Sequence, residues 1–167
     1  IITRQGGPAR AGGVIEGGSF GTSRVSVNTS GSANALSWGA AFEQLDTDGQ
    51  NGTTTASGEL LSNDDYLRRD LSLNGQWNGR EGTAIRSTFR YGTNERGFPG
   101  AWGSDPGGTY SGVDTVSRGT NDNQVFSVGV TQQLGARVDQ RVDVSHTKTD
   151  SLFNSPFGES TSSSRRL

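Results

Sequence analysis

Leu36-Ser37-Trp38-Gly39-Ala40-Ala41-Phe42-Glu43 alternates strictly: Leu36, Trp38, Ala40 and Phe42 take every second position, with Ser37, Gly39, Ala41 and Glu43 between them. Successive strand side chains point to opposite faces, so this stretch predicts a β-strand with one apolar face. The same period recurs on both sides of it. Val25 and Val27 stand against Arg24, Ser26 and Asn28. Leu67, Leu71, Leu73 and Trp77 stand against Arg68, Asp70, Ser72, Asn74 and Gln76, with Arg69 and Gly75 interrupting the apolar side. Ile85, Phe89 and Tyr91 oppose Arg86, Thr88 and Arg90, and Phe126, Val128 and Val130 oppose Ser127, Gly129 and Thr131. Val142 and Val144 oppose Asp143 and Ser145. No stretch predicts a helix. β-Branched and aromatic residues dominate the apolar face, as strands prefer.

Seven strands are predicted, over 10–19, 22–31, 35–46, 65–78, 82–95, 122–134 and 138–150. Short connections near Gly21 and Gly31–Asn34 come first. Tight turns at Asn78–Glu81 and Gly135–Arg137 then alternate with long loops at 47–64 and 96–121, and 151–167 reads as a further loop. Membrane β-barrels of the outer-membrane type sort their connections this way, with short turns on one side and long external loops on the other. On that reading Trp38 and Trp77 sit near the short-turn side, and Tyr66, Tyr91 and more weakly Phe20 near the other, like two aromatic girdles. Tyr66 is one residue out of step with its strand's apolar face.

Composition narrows the choice. The chain has 167 residues, 29% hydrophobic, with 26 glycines and a mean hydropathy of −0.63. A water-soluble domain carries about 45–50% apolar residues. Strands that bury one face only, or disorder, would explain the deficit. A net charge of −2 does not support disorder through self-repulsion, and it gives no basic face for nucleic acid. Absent cysteine removes disulfide and thiolate chemistry. No apolar run approaches the roughly 20 residues of a transmembrane helix. The polar faces, with Arg68, Asp70, Arg86, Arg90 and Asp143, suit a hydrated interior better than a dry core. The expected fold is therefore all-β: an antiparallel up-and-down meander, an incomplete segment of a large transmembrane barrel. A solvated face of a soluble antiparallel sheet is the alternative.

Ile1-Ile2-Thr3-Arg4-Gln5-Gly6 resembles the end of the plug domain in TonB-dependent outer-membrane transporters, where such a strand leaves the plug and feeds the first barrel strand. The order that follows, a short external link and then long external loops, also resembles that family, closest to its cobalamin-transporter-like branch. The resemblance covers nearly the whole chain as architecture. It implies residues 1–8 as plug end and linker, 9–167 as N-terminal barrel strands, and a barrel of about 22 strands. It further implies location in the outer membrane of a Gram-negative bacterium and contact with its lipid. Energy-coupled uptake of a scarce nutrient, such as a metal chelate or cobalamin, would follow through TonB acting on the plug. Opening at Ile1 without a starting Met or signal peptide, the chain reads as an internal fragment. The rival readings are a secreted or surface β-sheet binding module and a passive porin-like barrel.

Candidate ligand contacts lie in the loop at 96–121, where Phe98, Trp102 and Tyr110 offer flat apolar surface to a small molecule. Trp102 packing on its own loop is the plainer alternative. Asp46, Asp48, Asp64 and Asp114 are candidate calcium ligands. Asp46-Thr47-Asp48-Gly49-Gln50-Asn51-Gly52 faintly follows an EF-hand loop but has Ser57 where the twelfth-position Glu belongs. Asp and Gly are also ordinary turn residues. Catalysis finds no support. His146 is the single histidine, and Gly17-Gly18-Ser19-Phe20-Gly21 matches Gly-x-Ser-x-Gly but runs into another strand, not a helix. The glycine pairs at 6–7, 12–13 and 17–18 precede no helix and hold no phosphate.

Overall fold

The computed structural model describes residues 7–50, 63–80, 82–100, 114, 116–135 and 138–167. They form one open antiparallel sheet of eight strands in sequence order. The strands are β1 (Arg10–Gly17), β2 (Ser23–Ala33), β3 (Leu36–Thr47), β4 (Tyr66–Asn78), β5 (Ala84–Gly97), β6 (Arg118–Leu134), β7 (Val138–Ser155) and β8 (Gly158–Arg166). The all-β meander is as the alternation predicts. The strand count is eight, not seven. Residues 151–167 are not a loop: β7 runs on to Ser155 and β8 pairs back along it, Ser155 opposite Gly158 and Thr147 opposite Arg166. The strands also lengthen into the predicted loop at 96–121, since β5 ends at Gly97 and β6 begins at Arg118.

Cross-strand register sorts the side chains into two faces. One carries a ladder of apolar rows. Ala33, Leu36, Trp77, Ile85, Val130 and Val142 share a row, and Thr29, Ala40, Leu73, Phe89, Phe126 and His146 share another. Arg69 does not interrupt this belt. It sits in the first polar row beyond it, between Gln44 and Thr93, with its Nε donating to Gln44 Oε1 at 3.1 Å. Trp38, Trp77 and Tyr91 belong to the belt face, whereas Tyr66 shares a row with Arg96 on the opposite face and joins no girdle.

The belt runs obliquely. Its upper edge drops from Ile15 and Val25 on β1–β2 to Phe126 and His146 on β6–β7, two rows lower. On β6–β7 apolar residues also reach two rows below Ala33 and Leu36, with Leu134 against Val138 beyond the polar pair Gln132–Gln140. Two rows are roughly 13 Å of strand, gained over roughly 19–24 Å of sheet width, a slant of about 30°. Belt height is roughly 20–27 Å along a strand, from Ile85 to Tyr91 on β5 and from Phe126 to Leu134 on β6.

Among the described residues nothing covers this belt. No apolar residue is buried among the described residues, and Leu73, Phe126 and Val144 are 41%, 48% and 57% exposed. A single layer of sheet has no core of its own, and an apolar area of this extent is not left in water by a soluble monomer. The opposite face is polar, and several of its charges pair across strands or along one strand. Arg24 on β2 bridges Glu16 on β1 at 3.0 Å and Glu43 on β3 at 2.6 Å. Arg141 and Asp143 pair at 2.6 Å. A hollow of about 360 Å³ opens on this side of β1–β4, lined by Arg10, Asn28, Ser30, Gly39, Ser72 and Asn74. No helix among the described residues is long and apolar enough to cross a membrane, which says nothing of crossing by strands.

Candidate functional site

Both long connections, 48–65 and 98–117, leave the same end of the sheet, beside the β1–β2 turn and the β7–β8 turn. Hydrogen bonds lock their roots together. Gly97 N–H donates to Asp65 O at 3.0 Å, Phe98 N–H to Ser117 O at 3.0 Å, and Asp114 N–H to Pro99 O at 2.9 Å. Asn63, only 2% exposed, donates its amide to Ser117 O at 2.8 Å and Phe98 O at 3.4 Å. A side chain at Gly97 would stand 2.5 Å from Asn63 O, so this close backbone approach requires glycine.

On the belt side of this end, Arg118 gathers three partners. Its guanidinium reaches Asp65 Oδ2 at 2.6 Å, Asp65 Oδ1 at 3.2 Å and Glu95 Oε1 at 2.8 Å, and touches Asn63 Oδ1 at 3.5 Å. The planar fork suits this two-pronged grip, which fixes the root of the first loop to the start of β6.

On the polar side, the aromatic residues collect. Phe98 and Phe153 meet edge to face, ring centres 5.3 Å apart at 76°. They meet over Gly119, where a Cβ would come within 3.0 Å of Phe98 and 3.6 Å of Phe153. The Arg96 guanidinium lies 5.3 Å from the Phe98 ring centre, in cation–π range. Beside this group opens a cavity of about 530 Å³, lined on one side by Arg96, Phe98 and Pro99 and on the other by Phe20, Gln50 and Asp64. That volume is within the range of small-molecule pockets. Phe20 reaches it from the β1–β2 turn with a positive φ of 59°, and Gly21 follows at 64°. A bulky residue in the left-handed region costs about 1–2 kcal/mol. The turn therefore holds an aromatic ring at the cavity against local preference, the kind of strain that collects at binding sites. The Gly-x-Ser-x-Gly stretch at 17–21 is this hairpin turn, so it forms no nucleophile elbow.

Of the candidate ligand contacts, Phe98 lines the cavity, while Trp102 and Tyr110 lie outside the described residues. Of the four candidate calcium ligands, Asp46 lies in β3 and the other three at the roots of the long connections. Asp46 is exposed on the belt face opposite Leu67. Asp48 lies over the β1–β2 turn, its N–H donating to Phe20 O at 3.0 Å. Asp64 accepts the Gln50 N–H at 2.6 Å. Asp114 accepts the N–H groups of Val116 at 2.8 Å and Ser117 at 2.9 Å, together with the Ser117 hydroxyl. Those bonds, the hydroxyl's first, hold the Asp114 carboxyl below the usual carboxylate range. Among the described residues no three acids, histidines or cysteines group to hold a metal ion. Asp64 and Asp114 each accept a backbone N–H at a loop root, whereas Asp46 lies within β3.

Sequence reasoning missed Phe20, Arg96, Phe153 and Arg118. Phe153 fell inside the supposed terminal loop. A signal for it existed: Phe153 follows Thr147, Thr149 and Ser151 at period two, continuing β7.

No family model, curated protein or solved structure matches this chain. Its function is therefore argued from its own geometry.

Proposed function

We propose that the chain forms part of the wall of an outer-membrane β-barrel, and that the barrel is a TonB-dependent transporter taking up a scarce nutrient in an energy-coupled way. The observation that carries the barrel is the oblique, uncovered belt. A membrane presents a level apolar slab, and tilted strands cross it so that the apolar span shifts along each successive strand. The slant of about 30° approaches the 35–45° tilt of outer-membrane strands, and the belt height approaches their apolar band of about 25 Å. Paired charges on the other face suit a hydrated or plugged interior. The transporter reading leans on the resemblance of the N-terminal segment and on how the chain enters the sheet. Gly7 exchanges hydrogen bonds with Ser32, its N–H donating to Ser32 Oγ at 3.2 Å and its carbonyl accepting from that hydroxyl at 2.8 Å. Ser32 is on the polar face, so Gly7, just ahead of β1, is held on the side where a plug would lie.

Leu73→Arg tests the wall. In the full-length protein it should cost about 2–4 kcal/mol of folding stability in lipid bilayers if Leu73 lies near the midplane. Bilayer folding at the wild-type level would remove the membrane assignment. Uptake that survives collapse of the proton gradient would remove energy coupling and leave a passive barrel.

A further inference from the structure

Above the belt, β6, β7 and β8 sort their side chains by charge. On the belt face this region carries Arg118, Asp122, Lys148, Asp150, Glu159 and Arg165. On the polar face no position is charged from 119 to 123 on β6, 149 to 153 on β7 or 160 to 164 on β8. Apart from Gly119 and Phe153, every one of these positions is asparagine, serine or threonine. The charged groups that mark the same face on β1–β5, such as Arg24, Arg68 and Arg90, give way here to an uncharged patch bounded by Arg96 and Arg166. Solubility alone would not sort charges this way, since both faces of these upper strands lie beyond the belt.

We infer that this neutral face is a contact surface for a polyhydroxylated, uncharged ligand, a saccharide chain in chemical class. The inference rests on the reading that the polar face borders the ligand's path. A hydroxyl both donates and accepts, and an asparagine amide offers separate donors and an acceptor, so the face can match a ligand whose own groups do both. It is already organised as a network. Thr149 Oγ1 donates to Asn123 Oδ1 at 3.0 Å, and Ser151 Oγ reaches Asn121 Oδ1 at 3.5 Å. Neighbouring strands repeat these groups about every 4.8 Å, giving a regular grid rather than a single point of contact. At the upper edge, Phe153 is 39% exposed and braced by Phe98. Its ring supplies a flat apolar surface for the C–H face of a sugar. Between Arg96 and Arg166, which stand at its margins, the patch offers a charged ligand no counter-charge of its own. Each exposed hydrogen bond contributes little net free energy, so affinity should be modest for one short chain, on the order of 1 mM or tighter.

The test uses the full-length protein folded in detergent micelles and titrated by calorimetry. The probes are neutral hexasaccharides (maltohexaose, cellohexaose, laminarihexaose, N-acetylchitohexaose) and, as charged controls, hexasaccharides of galacturonate and heparin. At least one neutral probe should bind more tightly than both charged ones. Thr149→Lys and Phe153→Ala should each weaken it at least tenfold, and Thr149→Val, which keeps the strand but removes the hydroxyl, at least threefold. Thr161→Lys, on the belt side of β8, should change it less than twofold. Absence of binding by every neutral probe overturns the inference, as does tighter binding of a charged probe or equal sensitivity to Thr161→Lys. Bilayer folding of Leu73→Arg is read separately. Its failure to lose stability removes the barrel, whereas a folded barrel that binds no neutral probe removes only the saccharide surface.

Discussion

The lower and upper halves of the β6–β7 ribbon share one hydrogen-bond register and one alternation, yet put opposite chemistry on the same face. Below the Phe126–His146 pair, the belt face is valine after valine, Val128 against Val144 and Val130 against Val142. Above it, that face turns to Gln124 against Lys148 and Asp122 against Asp150. On the other face, Arg141 and Asp143 mark the lower half and neutral amides and hydroxyls the upper. The backbone does not change at this boundary, so the surroundings must. Apolar surface is kept only where something other than water meets it.

Two arginine substitutions on one strand and one face should separate the halves most sharply. Val128→Arg, in the belt, should lower bilayer folding stability by about 2–4 kcal/mol if it lies near the midplane. Thr120→Arg, in the upper half, should stay within about 0.5 kcal/mol of wild type, as most surface changes do. Urea titration of the protein folded into lipid vesicles compares them. Equal effects would erase the boundary and favour a soluble sheet.

A smaller effect tests what holds the upper end. Arg118→Met should leave Asp65 and Glu95 without their shared cation and loosen the roots of both long loops. The group is partly exposed, with 38% of its side-chain surface open, so solvent screening limits the loss to about 1 kcal/mol. Hydrogen exchange at the Gly97 and Phe98 amides should quicken while exchange in the Val128–Val130 segment stays as it was. Uniform quickening along β6 would mean that Arg118 supports the whole sheet and not the loop roots.

The same boundary explains what the sequence disclosed. Inside the belt one face is apolar and the other polar, so Leu36–Phe42 or Phe126–Val130 announce strands by alternation. Above it both faces are polar and the alternation fades. Ser151–Ser155 and Gly158–Arg166 then look like a serine-rich loop, although extended pairing suits their short hydroxyl side chains. The candidate site lies wholly in that silent region. Phe98 was legible as an aromatic residue in a loop rich in glycine and proline. Its partners were not, because Phe153 is far away in sequence and Phe20 depends on a turn with an unfavourable φ. The four aspartates were legible as acids at or near turns, but spacing alone could not place their side chains, such as that of Asp46 within β3 or Asp114 on the Ser117 amide.

Asp114 supplies the smallest and most local prediction. Its carboxylate accepts the Ser117 hydroxyl and the N–H groups of Ser117 and Val116, and these bonds depress its pKa in the folded state. A depressed carboxylate contributes stability above its unfolded pKa and loses it as pH falls through the folded value. The second loop's root should therefore be indifferent to pH between neutrality and about pH 5, the upper end of the usual carboxylate transition, and loosen only in stronger acid. Amide shifts of Val116 and Ser117, followed by NMR during acid titration, should move with a midpoint below the ordinary aspartate range. Asp114→Asn should abolish that transition without moving the belt-half amides. A midpoint at or above the ordinary range would mean that the turn does not hold in solution. A transition shared with Val128 and Val144 would mean that acid acts on the whole sheet rather than on this one cap.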